Sequence, residues 1–171
     1  MSGLDIRIDA GSVADLAAAW EAAPAIVAEE LVRAAWEAEM LLQREVVERT
    51  PRGVGSGDGL AGSIIAQEPR LLADQVIGAV STSILHAVPV ELGTRPHFPP
   101  VAPLVEWARK VLGVPAEEAE GVGLAIARKI SRQGTKGAFM FRRAFDENLG
   151  QVEAMYERAA GRVAVRLAEN A

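Results

Sequence analysis

Between Val27 and Val46 apolar residues return every three or four positions: Val27, Leu31, Ala34, Ala38, Leu42 and Val46 fall on one face of a helix. Pro24 suits the first turn of that helix, and Thr50-Pro51 closes it. Trp36 and Met40 lie on another face, so the helix is expected to meet two neighbours, a sheet and a second surface that another subunit could supply. Upstream, Ser12 is placed to cap a separate alanine-rich helix running through Ala23. The opening Leu4-Asp5-Ile6-Arg7-Ile8-Asp9 alternates apolar and charged residues, the period of a half-buried strand.

Pro51 to Gly59 holds four glycines in nine residues and no apolar period, which predicts a mobile loop. Leu60 to Glu68 and Asp74 to Thr82 are rich in Ile and Val and bounded by turn residues, so they read as two strands joined across Pro69 to Ala73. With the opening strand they would make a small antiparallel sheet. Five of the nine prolines fall between Pro89 and Pro103, and Arg95-Pro96-His97-Phe98-Pro99-Pro100 is expected to be a stiff, extended surface arm.

Two shorter helices follow, Pro103 to Leu112 and Pro115 to Ser131, each opened by proline, with Gly113 stopping the first. The last helix runs from about 138 to 169. Its apolar seam is Phe145, Leu149, Val152, Tyr156, Ala159, Val163 and Leu167, and Arg158, Arg162 and Arg166 form a basic row along it. The prediction is one α+β domain over residues 1–171, a small antiparallel sheet flanked by long α-helices.

Composition narrows the chemistry. Half of the 171 residues are hydrophobic and about a quarter charged, which is the make-up of an ordinary globular domain. The longest uncharged stretch, Gln75 to Val90, falls short of the roughly 20 apolar residues of a membrane span. Asp5, Arg7 and Asp9 stand where a signal peptide would need an apolar run, so the chain is expected to stay in the compartment where it is made. Cysteine is absent, which removes disulfides, thiolate metal sites and thiol nucleophiles together.

Only two histidines remain. His86, His97 and Glu91 are the sole candidates for a metal or acid–base site, and they lack a spacing that would set two ligands on one helical face. Ser63 has no nucleophile-elbow context, and the glycine loop lacks the Gly-Lys-Ser/Thr ending that grips phosphate. No catalytic, cofactor-binding or metal-binding residue is therefore assigned.

The net charge of −5 hides an asymmetry. Residues 1–85 hold 13 acids and 6 bases, net −7; residues 86–171 hold 10 acids and 12 bases, net +2. Arg128, Lys129, Arg132, Lys136, Arg142 and Arg143 are six bases within sixteen residues, with no acid among them. Sequence-specific DNA readers usually pair such a run with an overall basic charge, so ion pairs at the surface or between subunits are the favoured reading. The candidate interface residues are Arg128, Lys129, Arg132, Arg142 and Arg143 in the basic run. To these are added Gly55, Gly57 and Asp58 in the glycine loop and Arg95, His97 and Phe98 in the arm.

Three stretches stand in a telling order. A long helix runs into Thr50-Pro51 and then Ser56-Gly57-Asp58-Gly59-Leu60-Ala61-Gly62-Ser63-Ile64. Next comes His86-Ala87-Val88-Pro89-Val90-Glu91-Leu92-Gly93-Thr94, and last Ile126-Ala127-Arg128-Lys129-Ile130 through Gly134-Thr135-Lys136-Gly137-Ala138-Phe139-Met140-Phe141-Arg142-Arg143-Ala144-Phe145. Over about residues 25 to 165 the chain resembles the tail-completion, or head–tail joining, family of long-tailed bacteriophages, and is similar to the minor tail protein Z group. It departs from that pattern at His86 and Pro89, where the family usually has aromatic residues. It also lacks prolines around Phe139 to Phe145 and has a loop about four residues longer between Pro51 and Gly59.

The resemblance implies a structural part and no catalytic residues. The expected assembly is a ring, commonly of six copies, in the neck of the virion between the capsid connector or head-completion protein and the tail tube or tail terminator. DNA would pass through its lumen without sequence-specific binding. Such a protein needs no cofactor and no membrane, and resides in the host cytoplasm during assembly. A tail terminator or another neck ring protein is the nearest alternative. From other classes stand a DNA-binding regulator, argued from the basic run, and a hydrolase using His86 with Glu91.

Overall fold

The computed structural model describes residues 10–53, 59–73 and 75–169. The fold is of the α+β class. It opens with one continuous helix, α1 (Ala10–Arg49), and not with the two helices predicted around Pro24. An internal proline removes one backbone hydrogen bond and crowds the preceding turn. Here it is flanked by Ala17, Ala18, Ala19, Ala22, Ala23 and Ala25, the residue type that favours helix most, and the helix continues through it. The end comes as the sequence predicts. Thr50, where the following proline disfavours the α conformation, lies just past the helix, and its Oγ1 donates to the Val46 carbonyl at 2.7 Å.

The chain gathers into two compact units. The first comprises Met1–Glu39, Glu68–Ala79 and Gly150–Ala171; the second comprises Met40–Gln67 and Val80–Leu149.

In the first unit, Ile26, Ala34, Ala35 and Ala38 of α1 and Ala159 of the last helix are buried. A short hairpin joins them, β2 (Arg70–Leu72) against β3 (Gln75–Ile77), with Leu72 opposite Gln75. The reversal therefore comes just after Leu72, where Ala73 has φ 52°, and not across Pro69 to Ala73. The strand predicted over Asp74 to Thr82 is interrupted for a definite reason. Glu39 reaches from α1 and accepts the Ala79 N–H at 2.5 Å, which takes that backbone group out of any ladder. Gly78 lies so close that a Cβ would run into the Glu39 carboxylate.

In the second unit, the residues predicted as a strand from Leu60 begin instead with a helical turn, α2 (Gly59–Gly62). Only β1 (Ile65–Ala66) is extended, pairing antiparallel with β4 (Val80–Ser81). Helix α3 (Ala87–Leu92) follows, then β5 (Gly93–Thr94), α4 (Val101–Val111), α5 (Ala116–Gln133), β6 (Thr135–Lys136) and the beginning of α6 (Met140–Glu169), whose residues from Gly150 onward belong to the first unit. Among the described residues the predicted sheet is thus three separate two-stranded ladders. The strand predicted at Leu4 to Asp9 lies outside the described residues, as do residues 54–58 of the predicted mobile loop.

The core of the second unit is Val46, Leu60, Ile64, Ala87, Met140 and Ala144, bordered by Val47, Val80, Ile84, Val90 and Phe141. Helices α4 and α5 pack closely because Gly123 has no side chain: a Cβ there would lie 2.7 Å from Val105 Cγ2 and 3.0 Å from Val105 N. Helix α6 matches the predicted length, but its seam differs in the first turns. Phe145 and Leu149 are exposed, and Met140, Ala144 and Asn148 face inward, one position earlier. Asn148 is held there by donating to the Ala144 carbonyl at 2.8 Å.

Candidate interface surfaces

The most constrained feature of the second unit is the crossing of β5 with β6. Gly93 pairs with Lys136 and Thr94 with Thr135. A Cβ on Gly93 would strike the Thr135 carbonyl, one on Gly134 the Thr94 carbonyl, and one on Gly137 the Glu91 carbonyl. Glycine is therefore obligatory at this approach, and Gly93 and Gly134 also have positive φ, 80° and 69°.

The chain leaving the crossing is handed directly into α6. Ala138 N–H donates to the Val90 carbonyl at 2.8 Å and Phe139 N–H to the Glu91 carbonyl at 3.0 Å. The Glu91 carboxylate then accepts Phe141 N–H at 3.0 Å on one oxygen and Arg142 N–H at 3.1 Å on the other. Two N–H groups that a helix start leaves unpaired are thus capped by a residue about 50 positions away in sequence. Both Glu91 oxygens serve the helix. His86, the other half of the hydrolase alternative, is exposed at the start of α3 and makes no side-chain capping bond.

The basic run is divided between two elements. Arg128, Lys129 and Arg132 are exposed on the last turns of α5, whose first turn carries Glu117 and Glu118. Acids at the start and bases at the end complement the helix dipole, which gives this charge order a local cause. None of these three bases forms an ion pair among the described residues. Arg142 and Arg143 sit in the first turn of α6 and pair four residues ahead, with Asp146 at 3.5 Å and Glu147 at 3.2 Å. Glu147 is shared with Arg49 at 2.6 Å, and these two arginines, Arg49 foremost, hold its carboxyl below the usual range.

Arg95, His97 and Phe98 are exposed between β5 and α4, as predicted for the arm, with His97 Nδ1 2.9 Å from the Arg95 carbonyl oxygen. Gly55, Gly57 and Asp58 lie outside the described residues.

One surface escaped the sequence reading. Leu85, Val88 and Leu92 are 91%, 63% and 65% exposed and line an open groove of about 360 Å³ with Ile84, Ala87 and Phe141. Their spacing of three and four residues is a helical signal that the sequence carries, interrupted by Pro89.

In the first unit the basic row of α6 has a buried counterpart that the sequence did not disclose. Glu30 of α1 is 1% exposed and accepts Arg162 Nε at 2.6 Å and Arg166 Nη1 at 2.9 Å, with Arg33 at 3.7 Å. Arg166 also reaches Glu29 at 2.8 Å. The Arg162 hydrogen bond, with help from Arg166 and Arg33, holds the Glu30 carboxyl below its ordinary value against the opposing effect of burial. Glu39, 3% exposed, is the contrary case. Burial pushes its carboxyl up, only partly opposed by the Ala79 N–H, and its Oε2 has no hydrogen-bond partner. Both acids stand at inward positions of α1, where a hydrophobic-period reading assigns only apolar residues.

Among the described residues no helix is long and apolar enough to cross a membrane, and no group of three His, Cys, Asp or Glu residues could hold a metal ion. No protein-family model, curated protein or solved structure matches the chain.

Proposed function

We propose that the chain is a structural protein of the head–tail interface of a long-tailed bacteriophage, a ring of identical copies between the capsid connector and the tail tube through which DNA passes. The observation that carries this reading is the convergence of the three stretches on which the family resemblance rests. Leu60 and Ile64 from the first, Ala87 from the second and Met140 and Ala144 from the third make up most of one buried cluster. The second and third stretches also meet at the Gly93, Gly134 and Gly137 approach and at the Glu91 cap. Residues that are far apart in sequence thus act as one construction, which supports taking the three stretches together.

The exposed apolar row of Leu85, Val88 and Leu92 suits a chain that completes its burial by assembly. The test is deletion of the gene in its phage. Filled heads and finished tails should accumulate unjoined, and supplying the chain from a plasmid should restore plaques. Normal plaques without it would overturn the reading.

A further inference from the structure

In the first unit an edge of the hairpin and the cavity beside it are open together. Leu72 and Gln75 are joined by two residues and close the hairpin as its hydrogen-bonded pair, so the alternation of an antiparallel ladder turns the N–H and C=O of Leu71 outward from β2. Neither meets a hydrogen-bond partner among the described residues. The Leu71 side chain is 53% exposed and shares a face with half-buried Val76. A two-stranded hairpin alone is marginal in water, and an open edge is a template for one more strand.

Immediately before β2, Glu68 and Pro69 line a cavity of about 480 Å³ with Glu29, Val32, Arg33 and Trp36 of α1. Trp36 is 44% exposed. A strand laid along β2 and past Arg70 enters this cavity, so one occupant can pair the edge and cover the indole.

The chain carries a segment with the pattern such an occupant needs. Leu4-Asp5-Ile6-Arg7-Ile8-Asp9, outside the described residues, alternates apolar and charged side chains, which in a strand sends three apolar residues to one face. With those three beside Leu71, Asp5 and Asp9 share the face of Arg70, an exposed base that forms no ion pair among the described residues. The same copy cannot deliver the segment. Along α1, Ala10 stands about 28 Å from Glu29 and about 39 Å from Trp36, whereas residues 4–9, fully extended and folded straight back, cover only about 22 Å.

We propose that residues 4–9 of one copy add as a third strand to the β2 edge of a second copy, with an apolar side chain in the Trp36 cavity. The contact joins two different surfaces, so it passes from copy to copy, as a closing ring requires. The inference rests on the ring reading and supplies a neighbour-to-neighbour contact for it.

Cysteine is absent, so single cysteines report the contact in the purified full chain. Arg7→Cys and Gln75→Cys, which the added strand would place on one face two strands apart, about 10 Å, are made in separate chains with different tags. The two are mixed at the highest soluble concentration with a bis-maleimide of similar reach. Gly150→Cys, where a Cβ would meet nothing within 4 Å, replaces Gln75→Cys as the control. The cross-link between positions 7 and 75 should exceed the control at least about tenfold, be lost with Ile6→Asp and Ile8→Asp, and survive Ile6→Val with Ile8→Val.

A cross-link no stronger than the control overturns the proposal, even where imaging finds a ring. One that the two aspartate substitutions leave unchanged overturns it as well, because docking would then not depend on the alternating apolar face. Same-tag dimers of the Gln75→Cys chain in place of mixed ones would assign the edge to a second hairpin and also overturn it. The specific mixed cross-link supports the contact whatever the particles show.

Discussion

Replacing Glu91 with alanine removes the acceptor of two N–H groups at the start of α6 while leaving the backbone of the β5 and β6 crossing in place. A side-chain cap of this kind contributes about 0.5–2 kcal/mol. A negative charge at a helix N-terminus adds about 0.3–1 kcal/mol. The central value is roughly 2 kcal/mol, which at about 2–4 °C per kcal/mol for a chain of this length lowers Tm by about 4–8 °C. Glu91→Gln keeps one acceptor oxygen and the side-chain shape, and should lose roughly half as much.

Thermal melts of the three proteins give the magnitude, and hydrogen exchange gives the place. The amides of Phe141 and Arg142 should lose protection before those farther along α6. His86→Ala, which removes an exposed side chain without a capping bond, should melt with the wild type. An alanine variant at position 91 melting within about 1 °C of the wild type would refute the capping argument, because no burial or packing term of similar size replaces it.

Gly123→Ala places a Cβ against Val105 Cγ2 and its backbone, so α4 and α5 must separate; overpacking of about 1–3 kcal/mol should outweigh the better helix propensity of alanine and lower Tm. A higher Tm would show that the two helices yield freely. Glu39, whose folded pKa lies above its ordinary 4.5, contributes stability that is full below the unfolded value and lost as pH rises through the folded one. The Tm of Glu39→Gln should therefore gain on that of the wild type across that window, and parallel curves would contradict the assigned cause. Arg142→Glu with Arg143→Glu breaks two exposed intrahelical pairs, so stability should change little, within about 0.5 kcal/mol, while joining of heads to tails fails. Normal plaque formation by the double variant would exclude these two arginines from the interface.

What could be read from the sequence is what neighbouring residues decide among themselves. The stop at Thr50-Pro51, the proline-opened helices that became α4 and α5, and nearly the full length of α6 follow from local rules about proline, glycine and helical period. What could not be read is decided by partners far away. The interrupted strand around Gly78 depends on Glu39, about 40 residues earlier, and the start of α6 depends on Glu91. Helix α3 hides its apolar spacing behind Pro89, and the buried Glu30 has meaning only beside Arg162 and Arg166. Among the candidate interface residues, Arg142 and Arg143 are already paired within α6, while Arg128, Lys129, Arg132, Arg95 and Phe98 are exposed and unpaired. A linear charge run does not reveal which of its members the fold has already used.

Imaging of intact particles and of their isolated necks tests the ring reading most directly. The account predicts several symmetry-related copies of the chain in one ring between the connector and the tail tube, around a lumen that admits duplex DNA. A single copy per particle, or no copy in the neck at all, would contradict it.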